Sequence, residues 1–572
     1  MWRLIRWKKA LKYLSVIALV VFVIGVIYLH YRRQIPLIHF LPVTDNAQLA
    51  RNVMRGQGLR TSFLRPLAMA LTKSDSSRAL PSDIVNPPVT AIITGFCFAV
   101  IGEDDKAVIR IGIATYLTAI AICTALAYYA FGSIAGVLTT LLLTLNARLV
   151  DAAVNGFPGF IPACLIAWCA FKLLTLLRNP LPSPQLPRRT RFINHLRRLI
   201  ITIAYLRTFF WYGLLAGMTA LSWFPMLPAV PVLILYSGRA SSRQWRVYAV
   251  LTGLFAASIV IGGWIWRNYR VTGKPILTIM SYEVMMWSDV YPGYSLYRAT
   301  TPPVETPYGF IIHRPLTFLH KFIRETAEGI RTISNTLGPI TIAFLILFAL
   351  RPVSRGDADA RWRYAMWLTA ILIGIWVCAH HVTGFSFLPI APLLTLFAAS
   401  AMGACIDQLL NTRPAWLLRL STQTATNLLS AILLCIHALP TLSLLLQPIS
   451  HADATSYRRT WDGVARITSP TEAVITDIPW LVAWHCDRRA IWFPHHPAEV
   501  GWIRRRIKNA NVIFLSSALR TYPAVEARSW WQLLARRETP AGYRVVARSN
   551  RGDIIMRWED SNRQRTRPPT TR

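Results

Sequence analysis

The sequence predicts a polytopic α-helical membrane protein of about eleven spans, with juxtamembrane helices in its first external loop and a small α/β domain at its C-terminal end. Three observations predict it. The 572 residues are 53% hydrophobic, with a mean hydropathy of +0.38, too apolar for a soluble chain. Apolar runs long enough to cross a bilayer alternate with short loops that carry much of the basic charge. Beyond Ser450 this rhythm stops, and short β-type runs alternate with helical stretches. The formal charge of +36 would suggest nucleic acid as the partner of a soluble chain. Here the charge sets topology and meets anionic headgroups, so nucleic acid is excluded and membrane lipid is the expected neighbour.

The first span runs from Tyr13 to Leu29. Five cations between Arg3 and Lys12 precede it, which places the N-terminus in the cytoplasm. The run resembles a signal peptide but is long and lacks a small-residue cleavage site, so it reads as a retained anchor. The next loop is external. Within it, Val89 to Ile101 follows Asn86-Pro87-Pro88; as a helix it reaches only about 20 Å, short of the roughly 30 Å hydrocarbon core, and should lie along the interface. Ala107 to Tyr129 and Ile134 to Val150 form a hairpin around Phe131-Gly132, and Phe157 to Leu177 follows. A proline- and arginine-rich loop from Arg178 to Arg198 is cytoplasmic by composition.

Two short spans broken by Gly and Pro follow, Tyr205 to Ser222 and Phe224 to Tyr236, of the kind tolerated where they line a cavity. Val247 to Trp266 leads into a long external loop ending near Thr336. The remaining spans are Leu337 to Leu350, Tyr364 to Ala379, Phe387 to Cys405 and Asn427 to Leu446, with a basic loop from Arg351 to Arg363. An odd number of spans leaves the C-terminal domain outside. The expected division is 1–446 for the membrane domain, 447–560 for the α/β domain and 561–572 for a disordered tail. In the α/β domain EAVITDIP, RRAIWFP, NVIFLSS, YRVVARS and DIIMRWE read as strands, and Pro497 to Asn509 and Ala524 to Arg537 as helices. Seven of the eight cysteines lie in apolar segments without zinc-type spacing, and Cys486 stands alone in the tail domain.

The chemistry-bearing stretch is TDNAQLARNVMRGQG, Thr44 to Gly58, immediately after the first span. Asp45 is expected to cap an amphipathic helix whose apolar stripe is Ala47, Leu49, Ala50, Val53 and Met54, with Arg51 and Arg55 toward the headgroups. A carboxylate beside paired arginines at a membrane surface suits chemistry on a lipid-linked phosphate. At the exit of a later span Arg267 and Arg270 are candidate phosphate binders, with Asn268 orienting them, because guanidinium offers fork-shaped donors to an oxyanion. Asn86 before the prolines and Asn155 at a span end are further candidates to face substrate. His380-His381 reads as an interfacial pair, and Tyr282, Glu283 and Asp289 lie in a loop that could cover the site.

These pieces, in this order, resemble the GT-C membrane glycosyltransferases, a class with protein O-mannosyltransferases and the aminoarabinose transferase of lipid A. The resemblance spans roughly the whole chain. It rests on TDNAQLARNVMRGQGL, NPPVTAIITGFCFAVIG, YGLLAGMTALSWFPMLPAVPVLILY, WIWRNYRVTGKPIL and FLPIAPLLTLFAAS. It implies transfer of a sugar from a polyprenyl-phosphate donor to a lipid, glycan or protein acceptor at the outer face of a bacterial inner membrane, with Asp45 as catalytic base. The chain departs from the family at Asn46, where an acid is common, at Trp223, and at Ser386-Phe387. At the place of a metal-binding first-loop acid stand Val85-Asn86, with Asp83 slightly early and His313 and His320 distant. No metal ligand is therefore assigned, and a divalent cofactor is left open. Two other readings are a transporter or flippase and a non-catalytic relative that binds the lipid carrier. Near-absence of charge within the spans and of internal repeats argues against the transporter.

Overall fold

The computed structural model describes residues 2–33, 38–72, 80–181, 192–351, 358–412, 421–446 and 452–559. Parts of the expected loops after Arg178 and Arg351, and all of the expected disordered tail, lie outside them. The chain is a multi-pass helical membrane protein with a small sheet at its C-terminal end. Seven helices among the described residues are long and apolar enough to cross a membrane, and nine spans result if each of two bent helix pairs is one span. The difference from eleven has a local cause. Ser133–Thr144 and Ala147–Val154 meet at 60°, and Pro315–Leu337 and Pro339–Leu350 at 110°. The expected broken pair is Phe192–Ala220, which carries Arg197, Arg198 and Arg207, followed by a short apolar helix, Phe224–Gly238.

Local signals set several boundaries. Asp104 accepts from the Ala107 amide at 2.7 Å and starts Asp105–Phe131, which ends at Gly132 with φ 94°. Asn146 accepts from the Leu149 amide at 3.0 Å to start Ala147–Val154, and its Nδ2 donates to the Thr336 carbonyl at 2.9 Å. That side chain therefore pins one bent pair to the other. Close helix packing uses glycine: a Cβ on Gly213 would lie 2.1 Å from the Gly253 carbonyl, so Phe192–Ala220 and Arg246–Thr272 touch backbone to backbone.

Asp45 does not cap its helix. The helix is Leu41–Met54, begun by Pro42 in its first turn, with Phe40 as the capping residue. Asp45 falls in the second turn and points sideways. The helix packs against Pro88–Ile101 so closely that a Cβ on Gly95 would lie 2.9 Å from the Ala50 carbonyl.

All five expected C-terminal strands form, and a sixth joins them from the other end of the chain. Label Phe63–Leu64 β1, Ala473–Thr476 β2, Arg489–Trp492 β3, Val512–Leu515 β4, Tyr543–Arg548 β5 and Ile554–Trp558 β6. The sheet order is β1-β3-β2-β4-β6-β5. The first four strands run parallel, and β6 pairs antiparallel with both β4 and β5. β1 comes from the first loop, with Phe63 opposite Ala490 and Leu64 opposite Ile491. The core under this sheet mixes Phe63, Tyr282, Tyr297 and Phe310 with Ile475, Trp492 and Phe514. The first loop, the middle loop and the tail thus share one apolar interior.

Candidate active site

A cavity of about 420 Å³ opens where these parts meet the helical bundle. Asp45, Arg65 and Asn86 line it from the first loop, Glu283, Tyr294 and Tyr297 from the middle loop, and Trp492 from the tail. Phe157, Pro162, Phe224 and Phe385 add apolar wall from the bundle.

Asp45 is 2% exposed and every bond to its carboxylate has a structural reason. Gln48, one helical turn on, donates to Oδ1 at 3.1 Å; its Nε2 also reaches Thr61 and its Oε1 accepts from the Ser62 amide. Asn86 Nδ2 donates to Oδ2 at 3.2 Å. Arg65 Nη2 meets the same oxygen at 2.8 Å in an ion pair whose side chains are 5% and 3% exposed. Arg65 directly follows β1, so pairing of that strand with β3 aims the guanidinium into the cavity. It lies 4.0 Å over the Phe63 ring and 5.5 Å over the Tyr297 ring. Burial is the largest single influence and works against its charge, but Asp45, Tyr297 and Asp83 together outweigh it and raise the pKa. Its Nε and Nη1 are buried without a hydrogen-bond partner among the described residues. Buried guanidinium donors without acceptors mark a place for an anion.

Burial, then repulsion from Asp45, raises the pKa of Asp83, although the amides of Val85 and Asn86 donate to it at 3.1 Å. Burial also raises Glu283, which accepts from the Tyr297 hydroxyl at 2.7 Å. Tyr294 and Tyr297 stack at 6.0 Å, and Trp492 packs 5.7 Å from Tyr294. This is an aromatic wall of the kind that accepts a sugar face. The residues do not assemble a metal set: Asp83 is engaged by backbone amides, His313 and His320 are exposed, and no cluster of three or more His, Cys, Asp or Glu occurs among the described residues.

Of the residues singled out from sequence, Asp45, Asn86 and Glu283 come together in the cavity, and so does the His380-His381 pair expected at the interface. Arg51 and Arg55 face the tail domain rather than headgroups. Arg51 donates to the Ala483 and Trp484 carbonyls at 2.6 and 2.9 Å and pairs with Asp487, while Arg55 joins Asp487 and Glu103. Arg267 holds the Asp83 and Leu59 carbonyls, and Asn268 holds the Ile276 and Leu277 carbonyls, so both fasten loops beside the site. Arg270 is exposed at the end of the helix. Asn155 donates to Asp151, two residues before Phe157 in the wall. Sequence reasoning missed Arg65, Tyr294 and Tyr297. The one available signal was Arg65 itself, a single cation inside the apolar run Phe63 to Leu71.

No family model matches the chain, and no curated protein matches it. Solved structures do. ArnT from Cupriavidus metallidurans bound to undecaprenyl phosphate superposes with a TM-score of 0.54 at 11% identity, over 95% of this chain and 97% of that one. The archaeal oligosaccharyltransferase AglB from Archaeoglobus fulgidus, in complex with an inhibitory peptide and a dolichol-phosphate, gives 0.50 at 12%, over 96% and 75%. The chain has the fold of these GT-C glycosyltransferases along nearly its whole length.

Proposed function

We propose that this GT-C-fold membrane protein transfers a sugar from a polyprenyl-phosphate donor to a hydroxyl-bearing lipid, glycan or protein acceptor, with Asp45 as the base. The single observation that carries the reading is the Asp45–Arg65 ion pair, buried at the wall of the cavity with two guanidinium nitrogens still unpartnered. In such a donor the anomeric carbon already bears a phosphate leaving group. The acceptor oxygen needs only alignment and loss of its proton, and the departing phosphate needs a cation.

Asp45 takes the acceptor's proton as the new C1–O bond forms. Arg65 turns Nε and Nη1 to the phosphate oxygens while Nη2 keeps Asp45 in place. Asn86 and Gln48, bonded to opposite oxygens of the carboxylate, fix its direction. The apolar wall suits an isoprenoid chain and the tyrosine pair a saccharide ring. Two solved neighbours hold polyprenyl phosphates of their own, which supports the same donor class here. By the charge of its loops the chain is oriented with the tail domain outside a bacterial inner membrane.

The test is Asp45→Asn, assayed with polyprenyl-phosphate sugars and by mass spectrometry of envelope lipids and proteins. Transfer should fall by about 10²- to 10⁴-fold in a variant that elutes as wild type and still unfolds cooperatively, at a melting temperature lowered only by the broken ion pair. Substantial transfer by a well-folded variant would refute the assignment.

A further inference from the structure

We propose that His381 is the proton donor to the departing phosphate, an inference that rests on the transferase reading above. His381 lines the same cavity as Asp45 and Arg65. Its Nδ1 lies 3.0 Å from Glu325 Oε2, an oxygen that also accepts from the Val382 amide at 2.8 Å. Glu325 is 4% exposed, so this carboxylate is a fixed partner and not a passing surface contact. A carboxylate at Nδ1 fixes the proton there and leaves Nε2 as the nitrogen free to meet a ligand.

The ring is also clamped. Trp287 stacks on it at 4.2 Å and 11°, and Tyr294 meets it edge-on at 5.9 Å. Trp287 holds φ 61°, a left-handed conformation rare for a bulky residue, and Arg324 donates to its carbonyl. Strain of this kind persists where the surroundings over-determine it, and here they use it to press an indole onto an imidazole. Tyr294 in turn stacks on Tyr297, over which Arg65 lies, so imidazole, tyrosine pair and guanidinium all line one cavity. Glu325, Arg324 and Lys321 approach from Pro315–Leu337, and Glu283 from the middle loop. Lys321 is spent on the carbonyls of Glu283, Val284 and Ala379 and holds the chain just before the histidines.

The step balances as follows. The donor phosphodiester carries one negative charge, and breaking its bond to C1 leaves the electron pair on phosphate, which would make a monoester dianion. His381, as imidazolium, gives its Nε2 proton to that oxygen, while Asp45 takes the proton of the acceptor hydroxyl. The product leaves as a monoanion, and the two side chains exchange their protons with water.

Two experiments on the full-length protein decide it. The first titrates undecaprenyl phosphate into wild type and His381→Gln. The variant should bind about tenfold more weakly than wild type; equal affinity overturns the proposal. The second follows kcat for sugar transfer. His381→Gln should lower kcat about 10²-fold, more than it weakens binding, because the proton is given in the transition state, and Glu325→Gln, which keeps the ring, should retain most of the transfer. Wild-type kcat in folded His381→Gln also overturns it. If His381→Gln shows the weakened binding but wild type shows no transfer, the transferase reading falls and His381 stands as a phosphate partner only. His381→Asn repeats both tests should His381→Gln fail to fold.

Discussion

The Asp45–Arg65 pair makes a quantitative prediction through a double-mutant cycle. Arg65→Met removes the cation from a pair whose partners are almost fully enclosed, and leaves a carboxylate supported only by the neutral donors Gln48 and Asn86. Breaking a buried pair from one side costs about 3–5 kcal/mol, and the two surviving hydrogen bonds put this case near the lower figure. Asp45→Asn leaves a guanidinium whose Nε and Nη1 are already without partners, with only the Phe63 and Tyr297 rings beneath it. Its cost should be about 2–3 kcal/mol. In the double variant neither charge remains buried. Its destabilisation should therefore fall short of the sum of the singles by about 2 kcal/mol or more. The cycle is read from denaturant unfolding of the full-length protein in one detergent. The exposed network of Arg55, Glu103 and Asp487 is the control. Arg55 and Glu103 are 34% and 30% exposed, and their coupling should stay below about 1 kcal/mol. Additivity of Asp45 and Arg65 within about 0.5 kcal/mol would refute the idea that the two charges depend on each other.

Three further outcomes follow from particular contacts. Gly213→Ala should lower the melting temperature by the equivalent of roughly 1–3 kcal/mol, because its methyl would strike the Gly253 carbonyl, whereas Gly262→Ala, with open space around it, should be tolerated. Arg51→Met strips the donors from the Ala483 and Trp484 carbonyls, and should make the tail domain more sensitive to limited proteolysis while leaving the sheet's own strands intact. Burial, partly opposed by hydrogen bonds from Ser516, pushes Asp477 up to about 6, so the folded state holds this proton more tightly than the unfolded chain. Its contribution is full below the ordinary carboxylate range and is lost as pH rises from about 4 to about 6. Asp477→Asn should therefore gain stability relative to wild type across that window, as seen in melting curves; a difference that does not change with pH would exclude the assignment.

The sequence carried some features in local patterns and hid others in distant partners. The tail strands were legible because Val474, Ile475, Val512 and Ile513 sit in short β-branched runs bounded by turns. Asp45 and Asn86 were legible because each adjoins a span or a proline pair. The helix start was misplaced because Pro42 outranks Asp45 as a first-turn signal and stands three residues earlier. Arg51 and Arg55, four apart on an amphipathic helix, have the same pattern whether they meet headgroups or protein. Only the docked tail domain, with Asp487 and the end of Pro479–His485, distinguishes the two. Arg65 was hidden for the same reason: its direction depends on a strand pairing that no local window contains. The bent pairs read as plain spans because hydropathy reports apolar length and not direction.

That pairing also orders the protein's biogenesis. The Ala490 amide donates to the Ser62 carbonyl at 2.8 Å, so the segment carrying Arg65 finds its partner only after most of the polypeptide has been made. Until then Phe63 and Leu64 have an unpaired backbone edge. A nascent chain stalled before β3 would have its anchor and its carboxylate but no aimed guanidinium. The cation of the buried pair is thus set in place only once β3 has been made.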